Sequence, residues 1–437
     1  MLELSEATAD AAPPADHALA ADVLVVGGGP AGATIATLLA RQGERVCLVE
    51  KDTHPRFHIG ESLLPLNLPL FDMLGVSEQI AQIGMPKFGV EFVSPWHRRA
   101  VQLDFKDAWD KRLSHSFQVR RSEFDHVLLR NAAANGVQIV EGCRINSVEF
   151  PQAGGVLAHG TDQDGRQHRF SARFIVDASG RDTLLAGRLG LKQRNRRHAS
   201  AALYGHFTNA TRLPGQAAGN ISIFWFDHGW FWFIPLADGT TSVGAVCAPE
   251  FLKNRDGDLT GFLHQLIGMC PALAERLTDA ILTCPARATG NYSYGSRQIS
   301  GERYLLVGDA FAFIDPVFSS GVYIAMQSAV LAADAVSASL HQPPARARRA
   351  RRDYENAMRT ALGRFSWYIY RINRPAMRDL FMNPQNYFRI QEAMMSLLSG
   401  DVFGPSPIRS RLLMFKAVYY AKTLVFRGKN LIAPRQP

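Results

Sequence analysis

The sequence predicts an α/β fold, and the strongest evidence for it lies near the N-terminus. Residues 22–26 read as a buried strand, and the glycines Gly27, Gly29 and Gly32 follow it directly. A small-residue segment typical of a helix comes next, and residues 46–50 read as a second strand. A strand, a glycine turn, a helix and a second strand in this order form the dinucleotide-binding unit of Rossmann-type folds.

Each position of this unit has a physical role. Glycines let the backbone turn sharply and approach a pyrophosphate, and the start of the following helix presents free N–H groups to it. An acid at the end of the second strand lies where a ribose hydroxyl would be held. A chance glycine turn is the alternative, but the flanking elements argue against it. The residues predicted to contact the cofactor are Gly27, Gly29, Ala31, Gly32 and Glu50.

Two later segments favour FAD over NAD as the dinucleotide. Residues 174–181 and 304–310 each read as a buried strand that ends in a small-residue turn. Asp309 in the second turn can hold a ribityl hydroxyl, although capping of the turn is its other interpretation. Pro316 precedes a long apolar helix predicted over 322–340, whose N-terminus can stabilise negative charge on a reduced flavin ring.

Together these elements resemble the glutathione-reductase-like FAD-binding Rossmann fold of aromatic hydroxylases and flavin-dependent halogenases. The resemblance covers most of residues 20–340. It implies an α/β fold with an inserted β-sheet substrate domain and a helical C-terminal region. The predicted divisions are a disordered tail over 1–20, an FAD-binding domain over 21–340 with a substrate sheet from about 85–120 and 195–300, and a basic, mainly helical region over 341–437.

Composition narrows the class of protein. A chain of 437 residues with 47% hydrophobic and 20% charged residues suits two joined globular domains. Its five cysteines are scattered and never in CxxC spacing, which favours reduced thiols in the cytoplasm and no metal site. The first 20 residues lack the basic start and apolar run of a signal peptide. The apolar stretch 412–426 is too short to span a bilayer, so no transmembrane helix is expected.

The positive charge is concentrated near the C-terminus. Residues 344–437 hold 18 basic and 5 acidic side chains, so they account for the whole net charge of +9. Three interpretations remain open: a solvated helical surface, a docking face for an acidic partner such as an acyl or peptidyl carrier protein, and a peripheral contact with an anionic membrane. Nucleic acid is not expected as a partner, because no recognised binding module is present.

Two further segments resemble cofactor-bordering parts of the flavin monooxygenase superfamily. The first is Gly-Glu-Ser-Leu-Leu-Pro at 60–65, preceded by Arg56. The resemblance implies that Ser62 borders FAD and that Arg56 lies near its diphosphate, although a surface position is the alternative for this arginine.

The second segment, residues 118–125, resembles a helix start at which an arginine approaches FAD. Arg120 and Arg121 compete for this role. Arg121 is favoured because it leads directly into Ser122, which is predicted to cap the helix.

The run Gly-Trp-Phe-Trp-Phe-Ile-Pro at 229–235 indicates which flavin chemistry to expect. In an arbitrary protein it would read as a buried strand with large side chains. Here Trp230, Trp232, Ile234 and Pro235 match the WxWxIP signature of flavin-dependent halogenases. The resemblance implies an aromatic wall between flavin and substrate, so that halide, rather than the substrate, intercepts the flavin hydroperoxide.

Lys87 lies where this family has a lysine in the passage between the flavin and substrate sites. An ammonium can donate a hydrogen bond to hypohalous acid, and a neutral amine can carry the halogen as a haloamine. Partial burial would lower the pKa of the lysine towards the second role. A solvated turn lysine is the alternative.

One position departs from the family pattern. Tryptophan-type halogenases have a glutamate two residues before the serine-glycine or threonine-glycine pair at the flavin, and this chain has Phe318 there. The departure implies an electron-rich substrate, such as a phenol or pyrrole, rather than free tryptophan. Ser320 and Gly321 form the pair and are predicted to bind halide through backbone N–H groups.

The resemblance thus implies a halogenase that receives FADH2 from a separate flavin reductase, forms hypohalous acid from chloride or bromide, and halogenates a small aromatic substrate. The absence of a second glycine-rich nicotinamide site agrees with a separate reductase. Two other classes remain open. One is an aromatic hydroxylase or a geranylgeranyl-reductase-like enzyme, and the other is a carrier-docking or membrane-associated protein with structural FAD.

Overall fold

The computed structural model describes residues 19–432 except 196–197, 255–256 and 291–292. The strands in these residues are β1 (Leu19–Val26), β2 (Val46–Val49), β3 (Met85–Lys87), β4 (Gly89–Ser94), β5 (Arg99–Asp104), β6 (Ser116–Gln118), β7 (Gln138–Val140), β8 (Cys143–Glu149), β9 (Val156–Asp162), β10 (Gln167–Asp177), β11 (Lys192–Arg194), β12 (Ala201–Thr208), β13 (Ile221–Phe226), β14 (Gly229–Pro235), β15 (Thr241–Cys247), β16 (Ile281–Leu282), β17 (Arg287–Thr289), β18 (Tyr294–Ser296), β19 (Tyr304–Leu306) and β20 (Ala312–Phe313).

The α-helices in the same residues are α1 (Pro30–Arg41), α2 (Leu68–Leu74), α3 (Ser77–Ile83), α4 (Arg121–Ala134), α5 (Leu184–Arg188), α6 (Pro249–Lys253), α7 (Leu259–Gly268), α8 (Pro271–Arg276), α9 (Gly321–His341), α10 (Pro344–Ile369), α11 (Pro375–Met382), α12 (Ile390–Leu398) and α13 (Arg409–Ile432).

The first sheet carries the dinucleotide-binding unit. Its order is β7-β2-β1-β10-β9-β8, and β19 pairs with the C-terminal end of β10. The strands β7, β2, β1, β10 and β19 run parallel, so their carboxyl ends meet at one edge. Such an edge is where open α/β sheets bind their ligands.

The second sheet lies beside the first and is antiparallel apart from the β13–β4 pair. Its order is β16-β12-β15-β14-β13-β4-β5. Side chains alternate along β14, as they must in an extended strand. Trp230, Trp232 and Ile234 join the large core that includes the first sheet, whereas Phe231 and Phe233 join a smaller core under α7 and α8.

The C-terminal residues form helices α10 to α13. The fold predicted from the sequence is therefore confirmed: an FAD-type α/β sheet, an antiparallel sheet and C-terminal helices. Among the described helices, α9 is long and apolar enough to cross a membrane by length and composition alone. Most of it is buried, and it packs between α1 and α10, so it is a core helix of this fold.

Two local expectations need correction. The helix α4 begins at Arg121 and not after Ser122, and Arg120 occupies its N-cap with extended backbone and no side-chain cap. Ser122 therefore caps nothing, because it is already inside the first turn. The strand β1 begins at Leu19, so the last two residues of the predicted tail are part of the sheet, and residues 1–18 lie outside the described residues.

Candidate FAD site

A cavity of about 610 Å³ opens at the carboxyl edge of the first sheet, and we call it the main cavity. It extends from the glycine turn after β1, past the end of β10, to the start of α9 and the tryptophans of β14. Its size falls in the range typical of small-molecule and cofactor sites. The predicted cofactor residues that line it are Gly27, Gly29, Ala31, Glu50, Arg56, Ser62, Arg121, Asp309 and Pro316.

The glycine turn fits a ligand that approaches the backbone closely. Gly27 has φ +109°, and a Cβ there would lie 2.3 Å from the carbonyl oxygen of Ala178. Gly32 does not line the main cavity. A Cβ at Gly32 would lie 1.8 Å from the Gly27 carbonyl oxygen, so this glycine lets α1 pack against the turn. Gly29 occupies the N-cap of α1 and has no side chain that could accept a hydrogen bond from the helix. The first N–H groups of α1 therefore remain available to a ligand in the cavity.

Glu50 directly follows β2 and is buried. Its Oε2 accepts a hydrogen bond of 2.5 Å from the Gly28 N–H, and its Oε1 accepts one of 3.0 Å from the Asp52 N–H. The carboxylate is therefore held rigidly at the cavity wall, in the position that a ribose-binding acid requires.

Two guanidinium groups face the same part of the main cavity and share one buried carboxylate. Arg121 donates to both oxygens of Asp125, at 2.7 and 3.0 Å, and Arg56 donates to one of them at 3.1 Å. These arginines hold the pKa of Asp125 below its usual value although burial acts in the opposite direction. Arg120 points elsewhere and pairs with Asp238. Of the two competing arginines, Arg121 is thus the one at the cavity.

The far end of the main cavity is formed by the turn after β19 and the start of α9. Burial raises the pKa of Asp309 to about 6, although the positive charges of Arg181 and Arg121 act to lower it. Pro316, Ser319 and Gly321 line the cavity beside it. Ser320, the predicted halide ligand, is the N-cap of α9 but is buried and does not line the cavity.

The aromatic run forms one wall of this cavity. Trp230, Trp232 and Ile234 line it, and the two indole rings lie 6.2 Å apart at 55°. The indole nitrogen of Trp232 donates to the Ser242 hydroxyl at 3.1 Å, which fixes the ring. Pro235 does not line the cavity; its backbone pairs with Thr241 at the end of β14.

Lys87 ends β3 and is almost fully buried, with 1% of its surface exposed. Its Nζ donates to the Ser62 hydroxyl at 2.9 Å and to the Leu63 carbonyl at 3.0 Å, and it lies 5.2 Å from the ring centroid of Phe105. Burial lowers the pKa of Lys87 to about 7. Lys87 does not itself line the main cavity, but Ser62 does, so one hydrogen bond separates the amine from it.

Several groups in or beside the main cavity are not among the site residues predicted from the sequence. Asp125 belongs to the segment 118–125 that was singled out for its arginines. No sequence pattern indicated that its carboxylate pairs with both Arg56 and Arg121. Glu61 pairs with His206 of β12 at 2.7 Å across 145 residues, a contact without a sequence signal. His58 also lines the cavity, and burial lowers its pKa to about 3, so its imidazole is neutral at physiological pH.

The fold and this site define an FAD-binding flavoprotein. Residues 20–353 match the family model described as FAD binding domain. The free N–H groups at the start of α1, the paired arginines and Glu50 are the groups that a diphosphate and a ribose require.

More specific relatives narrow the class. The chain is 40% identical over 320 residues to tryptophan 2-halogenase of Chondromyces crocatus. The alignment covers 72% of this chain and 60% of that protein. It is 31% identical over 411 residues to the 1H-pyrrole-2-carbonyl-peptidyl-carrier-protein chlorinase of Pseudomonas fluorescens, with 87% and 89% covered. The solved myxobacterial chondrochloren halogenase CndH superposes with a TM-score of 0.76 at 31% identity, covering 89% of this chain and 99% of that one.

The chain therefore belongs to the flavin-dependent halogenases. It spans 60% of the length of the Chondromyces relative.

Proposed function

We propose that the protein is an FADH2-dependent halogenase that forms hypohalous acid from chloride or bromide and halogenates an electron-rich aromatic substrate. One observation carries the proposal. The strand β14 turns Trp230 and Trp232 into a wall of the main cavity, and the buried amine of Lys87 lies one hydrogen bond behind the same cavity at Ser62.

When bound, reduced FAD would supply two of the four electrons that dioxygen takes up, and halide, which is oxidised to hypohalous acid, would supply the other two. The protein's own contribution begins with halide placement. Gly321 opens the 21-residue helix α9 at the cavity, next to Ser319, and the N-terminus of a helix favours an anion. We propose that backbone N–H groups at this helix start hold the halide.

Lys87 is then the residue that directs the halogen. A buried amine with a pKa of about 7 is partly neutral at physiological pH, so it can act as a nucleophile towards hypohalous acid or as a hydrogen-bond donor to it. Trp230 and Trp232 keep the aromatic substrate away from the flavin. Oxygen transfer to the substrate is thereby disfavoured.

Phe318 indicates the class of substrate. This buried ring occupies the place of the glutamate that tryptophan-type enzymes use. It packs against Phe381 of α11, with 6.2 Å between the two ring centroids. Without a carboxylate at that position, the substrate must itself be activated, as phenols and pyrroles are. The Pseudomonas relative acts on a carrier-bound pyrrole, and the Chondromyces relative is named for tryptophan, so both types belong in the test.

The partners follow from this chemistry. A separate flavin reductase would supply FADH2 in the cytoplasm. An acyl or peptidyl carrier protein is the proposed partner if the substrate is tethered. The basic helices α10 and α13 supply a surface of the opposite charge to such a carrier, with Arg348, Arg349 and Arg352 exposed.

The test is the mass of the product formed by the purified protein with FAD, a flavin reductase, NADH, oxygen, and chloride or bromide. The substrate panel contains simple phenols, a pyrrole, free tryptophan and a carrier-bound pyrrole. Lys87→Ala is compared with Lys106→Ala, a matched control on an exposed lysine 19 positions along the chain. We expect a halogen isotope pattern that Lys87→Ala loses and Lys106→Ala keeps.

Other outcomes would identify other classes. A product that gains one oxygen without any halide requirement would overturn the proposal in favour of an aromatic hydroxylase. Turnover of reduced flavin without product on every substrate would favour a non-catalytic role for the bound FAD.

A further inference from the structure

Glu61 and His206 form a buried pair at the main cavity that the proposed function does not use. The two residues are 2% and 4% exposed, and a hydrogen bond of 2.7 Å joins the Glu61 Oε1 to the His206 Nε2. Glu61 lines the main cavity. Its Oε2 is buried and has no hydrogen-bond partner in the described part of the chain. Buried polar atoms normally have such a partner, so this oxygen is available to a group bound in the cavity.

The pair lies at the end of the main cavity where the halogen chemistry is proposed. His206 and Tyr204 are two positions apart on β12, so their side chains share one face of the strand. The Tyr204 ring lies 5.9 Å from the Trp232 ring, measured between centroids. The residue after Glu61 is Ser62, whose hydroxyl accepts the hydrogen bond from the buried lysine amine. Adjacent residues thus hold the unpartnered carboxylate oxygen and the amine.

Phe57 places the pair close to solvent. Its ring meets the imidazole of His206 edge to face, with 6.0 Å between the centroids, and 44% of Phe57 is exposed. The imidazole therefore contacts an exposed side chain, whereas Glu61 borders the cavity. Imidazole can accept a proton at one ring nitrogen and release one from the other. This order of groups gives a proton a short route from solvent to the cavity.

Four other carboxylates of the described residues line the main cavity, and each has a different setting. Glu50 accepts hydrogen bonds from backbone N–H groups at both of its oxygens. Asp52 and Asp182 form ion pairs, and nearly half of each side chain is exposed. Asp309 lies in the turn after β19, where a ribityl hydroxyl is predicted. Of these five carboxylates, Glu61 is the one with a buried oxygen that lacks a partner.

We propose that Glu61 delivers the proton that halide oxidation consumes and that His206 resupplies it from solvent. The inference rests on the proposed halogenase function and deepens it by assigning the general acid of hypohalous acid formation. Glu61 is the catalytic residue in this step, because it borders the cofactor cavity. His206 acts through Glu61 and is a positioning and resupplying residue.

The hydrogen balance of the reaction requires a proton donor. FADH2, dioxygen, halide and one proton give FAD, hypohalous acid and one water. The O–O bond breaks, FADH2 and halide are oxidised, and dioxygen takes up all four electrons. Glu61 gives its proton to the oxygen that leaves as water, His206 passes a proton to the carboxylate, and solvent restores the imidazole. Formation of hydrogen peroxide from FADH2 and dioxygen, in contrast, consumes no added proton.

The test compares Glu61→Gln with Glu44→Gln in the FAD-loaded protein. Glu44 is a matched control, because it is also buried and its Oε1 lies 2.5 Å from the Nε2 of His341, but it does not line the main cavity. His206→Gln is a second variant, whose amide can donate to Glu61 but cannot release a proton. Each protein with pre-reduced FAD is mixed with oxygen and bromide. Hypobromous acid, trapped by a 1,3-diketone, and hydrogen peroxide are both measured.

With Glu61→Gln we expect hypobromous acid to form about a hundredfold more slowly, within the usual range for loss of a general acid. Flavin reoxidation should continue and yield hydrogen peroxide, since that product needs no added proton. His206→Gln should slow the formation of hypobromous acid by at least about tenfold. Glu44→Gln should match wild type, and all four proteins should hold the same amount of FAD.

A second readout needs no turnover. Bound FAD is reduced without oxygen or halide, and the infrared difference spectrum is recorded. Because reduction changes the charge and protonation of the flavin ring, a carboxyl group beside the ring should give a difference band. We expect this band in wild type and Glu44→Gln and its loss in Glu61→Gln.

Three results would overturn the inference and give the pair a structural role. They are the absence of the carboxyl band from wild type, wild-type formation of hypobromous acid by Glu61→Gln, and loss of FAD from Glu61→Gln together with normal activity of His206→Gln. A wild-type protein that shows the Glu61 band but forms no hypobromous acid would instead count against the proposed function itself.

Discussion

Lys87 donates a hydrogen bond of 2.9 Å from its Nζ to the Oγ of Ser62, and Ser62 lies in the wall of the main cavity. The Ser62 hydroxyl therefore links the lysine amine to the flavin site by one hydrogen bond. This relationship connects two segments that the sequence indicated separately, and it makes Ser62 a positioning residue for the amine.

Ser62→Ala should lower the rate of halogenation by roughly tenfold, because a hydrogen bond to a charged or polar buried group contributes about 1.5 kcal/mol. FAD affinity should change little. The measurement is single-turnover product formation with pre-reduced FAD. Ser77→Ala, at a half-buried serine that begins α3 outside the main cavity, serves as the control. An effect of Ser62→Ala on flavin binding alone would show that the serine serves the cofactor and not the lysine.

The pH dependence distinguishes the two roles of Lys87. Since its pKa is lowered to about 7, the neutral amine increases as pH rises from 6 to 8. If the amine carries the halogen, the rate of halogen transfer should rise across this window, and Lys87→Arg should be inactive because guanidinium stays protonated. A rate that falls over the same window, with activity retained in Lys87→Arg, would identify the ammonium as a hydrogen-bond donor.

Lys87 should also lower the stability of the fold. The pKa of Lys87 is about 7 in the folded protein and about 10.5 in the unfolded chain. Between pH 7 and pH 10.5 unfolding therefore takes up a proton, so the free energy of unfolding rises with pH over this range. Lys87→Met should remove this rise and should stabilise the protein by roughly 3 to 5 kcal/mol at or below pH 7. Urea unfolding at pH 6.5 and pH 9.5 would measure both effects. Identical pH slopes in the two proteins would contradict the prediction.

Arg121→Ala should raise the dissociation constant of FAD at least tenfold, because a charge-assisted contact to the diphosphate is lost and Asp125 keeps only Arg56. Arg120→Ala is the matched control, since Arg120 pairs with Asp238 outside the main cavity. Quenching of flavin fluorescence on binding gives both constants. Equal losses in the two variants would argue against a specific role for Arg121.

Trp230→Ala should join the main cavity to a second cavity of about 540 Å³, because Trp230 lines both. An aromatic substrate could then reach the flavin past the missing wall residue, so we expect a hydroxylated product and a lower yield of halogenated product. Mass spectrometry of the products with and without bromide separates the two. Phe231→Leu, whose side chain points to the opposite face of β14, should leave the product ratio unchanged.

Elements whose signals are local could be predicted from the sequence. The glycine turn, the acid at Glu50 and the alternation along β14 are each contained in a short stretch, because backbone conformation and strand periodicity act over a few residues. For the same reason the FAD fold was predictable. The helix start at Ser122 was predicted wrongly, since capping preferences are weak compared with the tertiary contacts that begin α4 at Arg121.

Contacts between groups far apart in the sequence could not be predicted in this way. Arg121 rather than Arg120 faces the cavity because Arg121 and Arg56 converge on the carboxylate of Asp125. The Ser200 hydroxyl donates a hydrogen bond of 2.8 Å to Asp315 across 115 residues. Such contacts depend on how sheets and helices pack against each other, and no short segment encodes that arrangement.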